Sequence, residues 1–199
     1  MAIYAELATE IRMYLPGCPD FLINKEIRNA AIKFCEETHV FTETATVTTR
    51  PSVSTYLIPT VEEAVLVTLK NAKRQGKPLT AVANDQFPGD GKQGKPELFT
   101  ERGKEIVFYP TPVESEELVF NYVVKPSRES TEFPDHIAED YYSGITSFAL
   151  YRLAMMPERT WTSPQLAAEH YATYKSQVIQ AKSKAQGQVN KVRVAKFGW

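Results

Sequence analysis

The sequence predicts an α+β fold, mainly α: a four-helix bundle formed by both chain ends, an inserted small antiparallel β region, and an extended C-terminal tail. Three observations predict it. Apolar residues recur at spacings of three and four before His39 and again across residues 134–188, the period of helices with one buried face. Between Phe41 and Lys125 the period falls to two, which is that of strands. After Gly187 the run Val189-Asn190-Lys191-Val192-Arg193-Val194 favours extended backbone over helix. The expected boundaries are residues 1–40 with 127–188 for a discontinuous helical core, 41–126 for the β insertion, and 189–199 for the tail.

In the first helix Ile3, Leu7, Ile11 and Leu15 form the apolar stripe, and Leu15-Pro16-Gly17 ends it. Pro19-Asp20 restarts the chain, with Asp20 the expected N-cap. Ile23, Ile27, Ala30, Ala31, Phe34 and Cys35 then trace a face that runs to His39. Lys25, Glu26, Arg28, Lys33, Glu36 and Glu37 fall on the polar side of this second helix.

In the β region, residues 42–49 are rich in β-branched side chains and are followed by Pro51-Ser52. Tyr56-Leu57-Ile58-Pro59 and residues 65–69 read as short strands, and Arg74-Gln75-Gly76-Lys77-Pro78 marks a turn. Glu105-Ile106-Val107-Phe108-Tyr109 and residues 118–124 are expected to pair with each other across the link at residues 110–115. Residues 83–96 are polar and glycine-rich, and read as an exposed loop.

The third helix carries Ile137, Tyr141, Ile145, Phe148, Arg152 and Met156 on one stripe, widened by Ala149 and Leu153. Pro134 suits its first turn, Asp135 and Glu139 sit near the positive end of its dipole, and Met156-Pro157 stops it. Ser163 is the expected N-cap of a fourth helix with Pro164 at its first position. Leu166, Ala167, Tyr171, Tyr174, Val178, Ala181 and Ala185 form its apolar stripe. So short a link implies antiparallel packing of the two.

Composition narrows the function. A chain of 199 residues that is 43% hydrophobic and 11% aromatic can bury a core and is not a disordered polypeptide. It has no apolar run long enough to span a bilayer, and no basic segment followed by an apolar stretch at its N-terminus, so neither a membrane span nor a secretory signal is expected. Cys18 and Cys35 stand apart without a CxxC and read as buried, reduced thiols. The net charge of −1 hides a polarity. No acid follows Glu169, whereas Lys175, Lys182, Lys184, Lys191, Arg193 and Lys196 do, which leaves residues 1–169 at −7. Lysines near a helix C-terminus suit its dipole, which accounts for Lys182 and Lys184 but not for the cations beyond.

One motif points toward nucleotide chemistry. Gly89-Asp90-Gly91-Lys92-Gln93-Gly94-Lys95 matches the GxxxxGK part of a phosphate-binding loop. A working loop needs a strand before it, a helix after it and a Ser or Thr for magnesium. Here Pro96 takes that last position and Glu97-Leu98-Phe99-Thr100 favours a strand, so the segment reads as a glycine-rich hairpin loop. His39, His136 and His170 have no metal-ligand spacing with each other or with the cysteines, and there is no GxSxG elbow. No catalytic, cofactor-binding or metal-binding residues are expected.

Several segments, taken in order, carry a resemblance. Leu15-Pro16-Gly17-Cys18-Pro19 precedes a helix with Ala30-Ala31-Ile32-Lys33-Phe34-Cys35. Tyr56-Leu57-Ile58-Pro59, Phe108-Tyr109-Pro110-Thr111-Pro112 and Val123-Val124-Lys125-Pro126-Ser127 follow. Phe133-Pro134-Asp135 then opens an Ala-containing helix, and Met156-Pro157 leads through Trp161-Thr162 to the last one. Over most of its length the chain resembles the head-to-tail adaptor proteins of short-tailed and related bacteriophages, neck subunits that sit directly below the portal.

The resemblance implies a non-enzymatic structural protein in a twelve-fold ring that extends the DNA channel, joins the tail and helps retain packaged DNA. It implies as partners the portal protein, a downstream tail or nozzle protein and further copies of the chain. Packaged DNA would pass through without sequence-specific binding, and no membrane or cofactor is involved. The place of action would be the virion neck, after synthesis in the bacterial cytoplasm. Lys191, Val192, Arg193, Val194, Lys196, Phe197 and Trp199 are the expected portal-docking tail, because aromatic and β-branched residues on a chain end call for a partner. Two other readings stand beside this one: a DNA-binding protein using the basic C-terminal segment on phosphates, and a nucleotide-binding enzyme.

Overall fold

The computed structural model describes residues 2–59 and 62–191. In chain order the elements begin with β1 (Ala2–Ile3), α1 (Tyr4–Tyr14), α2 (Asp20–Thr38), β2 (Thr42–Thr48), β3 (Thr55–Leu57), β4 (Ala64–Arg74), β5 (Lys77–Pro78) and β6 (Thr80–Ala81). They continue with β7 (Gln93–Gly94), β8 (Leu98–Arg102), β9 (Glu105–Tyr109), β10 (Thr111–Pro112), β11 (Glu117–Pro126), β12 (Glu132–Phe133), α3 (Asp135–Ala154) and α4 (Pro164–Lys191). The described residues form two compact units, 2–41 with 125–191 and 42–59 with 62–124.

In the helical unit, α1 begins at Tyr4, and Ile3 belongs instead to β1, which pairs antiparallel with β12. Tyr4, Leu7, Ala8 and Ile11 are buried, and the Tyr4 hydroxyl lies 2.8 Å from Ser130 Oγ. Asp20 is not the N-cap of α2. Pro19 takes that position in extended backbone, and Asp20, one residue inside, binds Arg12 Nε at 2.7 Å. His39 closes the helix in the left-handed region (φ 58°), its N–H donating to the Cys35 carbonyl at 2.9 Å.

The apolar face expected for α2 is buried throughout, but so is Glu26, which the sequence places on the polar side. Its carboxylate tolerates burial because Asn29 Nδ2 and Arg152 Nε each donate to it at 3.2 Å.

Pro134 caps α3 from outside rather than entering it, and the helix kinks at Tyr141 (φ −126°, ψ 19°), just before Ser143-Gly144. Ile137, Ile145, Ala149 and Leu153 are buried as expected, whereas Arg152 is exposed. Gly144 marks the tightest crossing: a Cβ there would stand 2.7 Å from Phe34 Cε2 of α2 and 3.2 Å from Gln177 Cβ of α4. Around it pack Phe34 and Tyr141 (ring centroids 5.2 Å apart) and Phe148 and Tyr174 (4.6 Å). Ser163 precedes α4 as expected, its hydroxyl accepting the Leu166 N–H at 3.4 Å. Gly187 does not end α4, which continues to Lys191, so residues 189–191 are helical rather than extended. Residues 192–199 lie outside the described part.

The expected fold class is corrected on three points. The chain is α+β with about 28% strand, not mainly α. Its helices do not close into a four-helix bundle. α2 and α3 form a central pair, α1 packs on both, and α4 runs chiefly along α3. The 11-residue α1 meets the 28-residue α4 near one end, where the Tyr14 ring lies 5.3 Å from that of His170. The third point is the β region, which is neither small nor purely antiparallel.

That second unit holds two four-stranded sheets, ordered β2-β11-β4-β5 and β3-β9-β8-β6, and β7 pairs with β10. β6 with β8 and β7 with β10 are parallel pairs. β9 and the strand of residues 118–124 are not partners, contrary to expectation, for they lie in different sheets. β9 instead follows β8 through the two-residue loop Gly103-Lys104, with Gly103 at φ 63°. A tight hairpin with glycine at positive φ forms locally, so β9 takes β8 and leaves β11 to pair with β2. Phe99, Ile106, Phe108, Leu118 and Phe120 are buried in this unit, and Glu101 accepts hydrogen bonds from Leu69 N–H (2.8 Å) and Thr68 Oγ1 (3.2 Å).

Candidate interaction surfaces

The glycine-rich loop is held by its own polar residues. Asp90 accepts from the Lys92 N–H at 3.1 Å and from the Tyr109 hydroxyl at 3.0 Å, donors that hold its carboxyl below the usual range. Lys95, which would have to reach a phosphate, pairs with Glu114 at 3.7 Å, and both side chains are more than half exposed. The segment is not a hairpin, since β7 within it bonds parallel to β10, and β8 rather than a helix follows. With a strand following it in place of a helix, the segment lacks the helix dipole that a phosphate-binding loop uses. Lys95→Ala is expected to leave folding unchanged, because an exposed pair contributes under about 0.5 kcal/mol. Calorimetric titration with ATP should give no heat of binding in either form; binding lost on this substitution would restore the nucleotide reading.

The titratable groups of the helical unit look structural. Burial pushes the Cys35 thiol up to about 12, and Cys18 is also buried and raised for the same reason. Both are free. A thiol held protonated in this way is a poor nucleophile. Burial lowers His170, partly offset by Glu10 and Glu169. Tyr174 is raised by burial and by Glu37, to which its hydroxyl donates at 3.0 Å. Tyr142 is pushed to about 12 by burial and by Glu10. His39 and His136 sit at the end of α2 and in the first turn of α3, as expected. Among the described residues no group of His, Cys, Asp and Glu could hold a metal ion. No described helix is long and apolar enough to cross a membrane.

Of the expected docking residues, Lys191 is the last residue of α4. Val192, Arg193, Val194, Lys196, Phe197 and Trp199 lie outside the described part. The helix that leads to them shows two faces. Ala167, Tyr174, Val178 and Ala181 are buried, whereas Leu166 and Ala185 are half-buried and Tyr171 is 39% exposed. Along one edge of that buried face Tyr171, Lys175, Ile179 and Lys182 follow one another at spacings of four, four and three. Ile179 is 69% exposed, and the Lys175 ammonium lies 5.3 Å from the Tyr171 ring centroid. A search for buried periodicity does not find this stripe, because Ile179 is apolar but sits one position off the buried face. Its signal was a large aliphatic residue flanked on its own face by lysines.

Compared with known families, residues 2–195 match the model described as SU10 adaptor protein. No curated protein matches the chain.

Proposed function

The chain belongs to the SU10 adaptor protein family, a family of phage head-to-tail adaptors, and from that premise we propose that it forms a ring directly below the portal of a tailed bacteriophage. The ring, twelve-fold to match the portal, extends the DNA channel, receives the next tail or nozzle protein and helps retain packaged DNA. The role is structural rather than catalytic, and the place of action is the virion neck. The observation that carries this reading is the span of the family match, which takes in both units and α4.

Charge supports it as well. Residues 1–169 are net negative, and a negative wall lets phosphates slide where a lysine-lined one would bind them. In this proposal the tail, with Lys191, Val192, Arg193, Val194, Lys196, Phe197 and Trp199, reaches from the end of α4 to the portal. There it adds a strand or fills a pocket with its aromatics. The units at residues 1–40 with 127–188 and 41–126 serve as the ring body and its insertion.

The expected behaviour in solution is a monomer or weakly associating species that forms a stable ring only on a portal template. Native mass measurement before and after adding portal checks this. A tight dimer that gives no larger assembly with portal would contradict it.

A further inference from the structure

We infer that the outward face of α4 is one half of a head-to-tail interface between copies of this chain, and that its complement is the acidic segment leading into α3. Tyr171, Lys175, Ile179 and Lys182 lie within one narrow arc of the helix, as the rotation of 100° per residue dictates. Among the described residues, Ile179 at 69% exposure is the most exposed large apolar side chain of α3 and α4. Neither Lys175 nor Lys182 makes a salt bridge among the described residues, whereas Lys184 on the opposite side of the helix binds Asp140 at 2.9 Å. Lys175 rests against the Tyr171 and Tyr174 rings without an ion pair among the described residues, and an exposed apolar residue between two cations that lack a salt bridge is a surface suited to an acidic partner with an apolar centre.

The same unit carries an acidic segment, which begins directly after Arg128. From Glu129 to Asp140 the chain holds Glu129, Glu132, Asp135, Glu139 and Asp140 with no lysine or arginine among them. Glu129 and Glu139 are exposed and without a salt bridge among the described residues. Tyr142, 37% exposed, offers apolar area further along α3. The bond between Lys184 and Asp140 shows the two polarities engaging once within a copy, and that contact leaves Lys175, Lys182 and Glu139 for a neighbour.

The two patches differ, so their pairing is heterologous. Each copy keeps one of each for its neighbours, and the assembly grows until rotation closes it into a ring. The inference deepens the adaptor reading and rests on it only for the closure of that ring.

Charge reversal on the full chain tests the pairing, read by sedimentation at rising concentration, with and without a portal template, at low ionic strength, where surface charges are least screened. One variant carries Lys175→Glu with Lys182→Glu; a second carries Glu129→Lys with Glu139→Lys. Circular dichroism first verifies that each folds like the wild type. Each alone is expected to weaken self-association by about tenfold or more, because like charges then face each other. An equimolar mixture of the two recovers it, since every interface between alternating copies again joins opposite charges. A third variant, Ile179→Asp, weakens association in every combination.

Variants that associate like the wild type, or a mixture that fails to recover, overturn the inference. So does a wild type that stays monomeric both alone and on a portal template, or one that closes into a symmetric dimer. Binding of a DNA duplex that is lost in the lysine-reversed variant while self-association is unchanged also overturns it, by assigning the face to phosphate. Failure of the adaptor reading itself is seen separately, as a wild type that self-associates but never binds portal.

Discussion

Deleting residues 192–199 is expected to leave the subunit folded and to remove its docking to portal. The residues that anchor α4 in its unit, Ala167, Tyr174, Val178 and Ala181, all precede the deletion, and they carry the apolar burial that holds the helix in place. The melting temperature of the isolated chain therefore stays within a few degrees of the wild type. Docking loses Phe197 and Trp199 together with Arg193 and Lys196. Buried aromatics at an interface contribute about 2–4 kcal/mol each, so affinity for portal falls by roughly a hundredfold or more. Thermal melts and portal co-sedimentation measure the two halves of this result. A truncated chain that melts early places the tail in its own core, and one that binds as well as the full chain removes it from the interface.

Gly144→Leu is expected to produce the largest loss of stability. A Cβ at this position already meets Phe34 Cε2 at 2.7 Å, and the Phe34 ring is fully buried with Tyr141 and Tyr174 around it. The ring cannot swing into solvent, so α2 and α3 must separate. Overpacking of this kind costs about 1–3 kcal/mol, and a leucine with four carbons to place lies at or above the upper end. That is a drop of roughly 6–12 °C in melting temperature for a chain of this size.

Gly144→Ala should cost less, because the gain of about 1 kcal/mol in helix propensity offsets part of the clash. Combining it with Phe34→Leu should cost less than the two changes added, since the smaller residue makes room. Differential scanning calorimetry of the series gives the order; a leucine variant as stable as the wild type would show that the crossing is loose.

The helices were legible because their burial follows a local period. The buried face of α2, from Ile23 through Cys35, and the antiparallel succession of α3 and α4 both follow from spacing and from proline punctuation at Pro157 and Pro164. What escaped depends on contacts distant in sequence. Glu26 reads as a solvated acid until Arg152, on another helix, is seen to donate to it.

The bundle expectation failed because periodicity gives each helix a face without saying which faces meet, and α1 meets α4 near one end. Gly144 carried a readable signal, for a glycine inside a helix is costly unless a neighbour needs the space. In the β region the pairing of β9 was decided by Gly103 in a two-residue turn, a local cue passed over in favour of a longer link containing prolines. The interaction surface was half legible. The cations after Glu169 are plain in the sequence, but only the structure separates Lys184, engaged with Asp140, from Lys175 and Lys182 on the outward face.

The central claim is that this chain is a ring-forming adaptor seated on a portal, and electron microscopy of the chain mixed with its own phage's portal tests it most directly. A second ring stacked coaxially below the portal is expected, with twelve copies, a continuous channel and density leading from the end of α4 into the portal ring. A portal that emerges bare at saturating concentrations of the chain, or copies bound singly at its periphery, would contradict it.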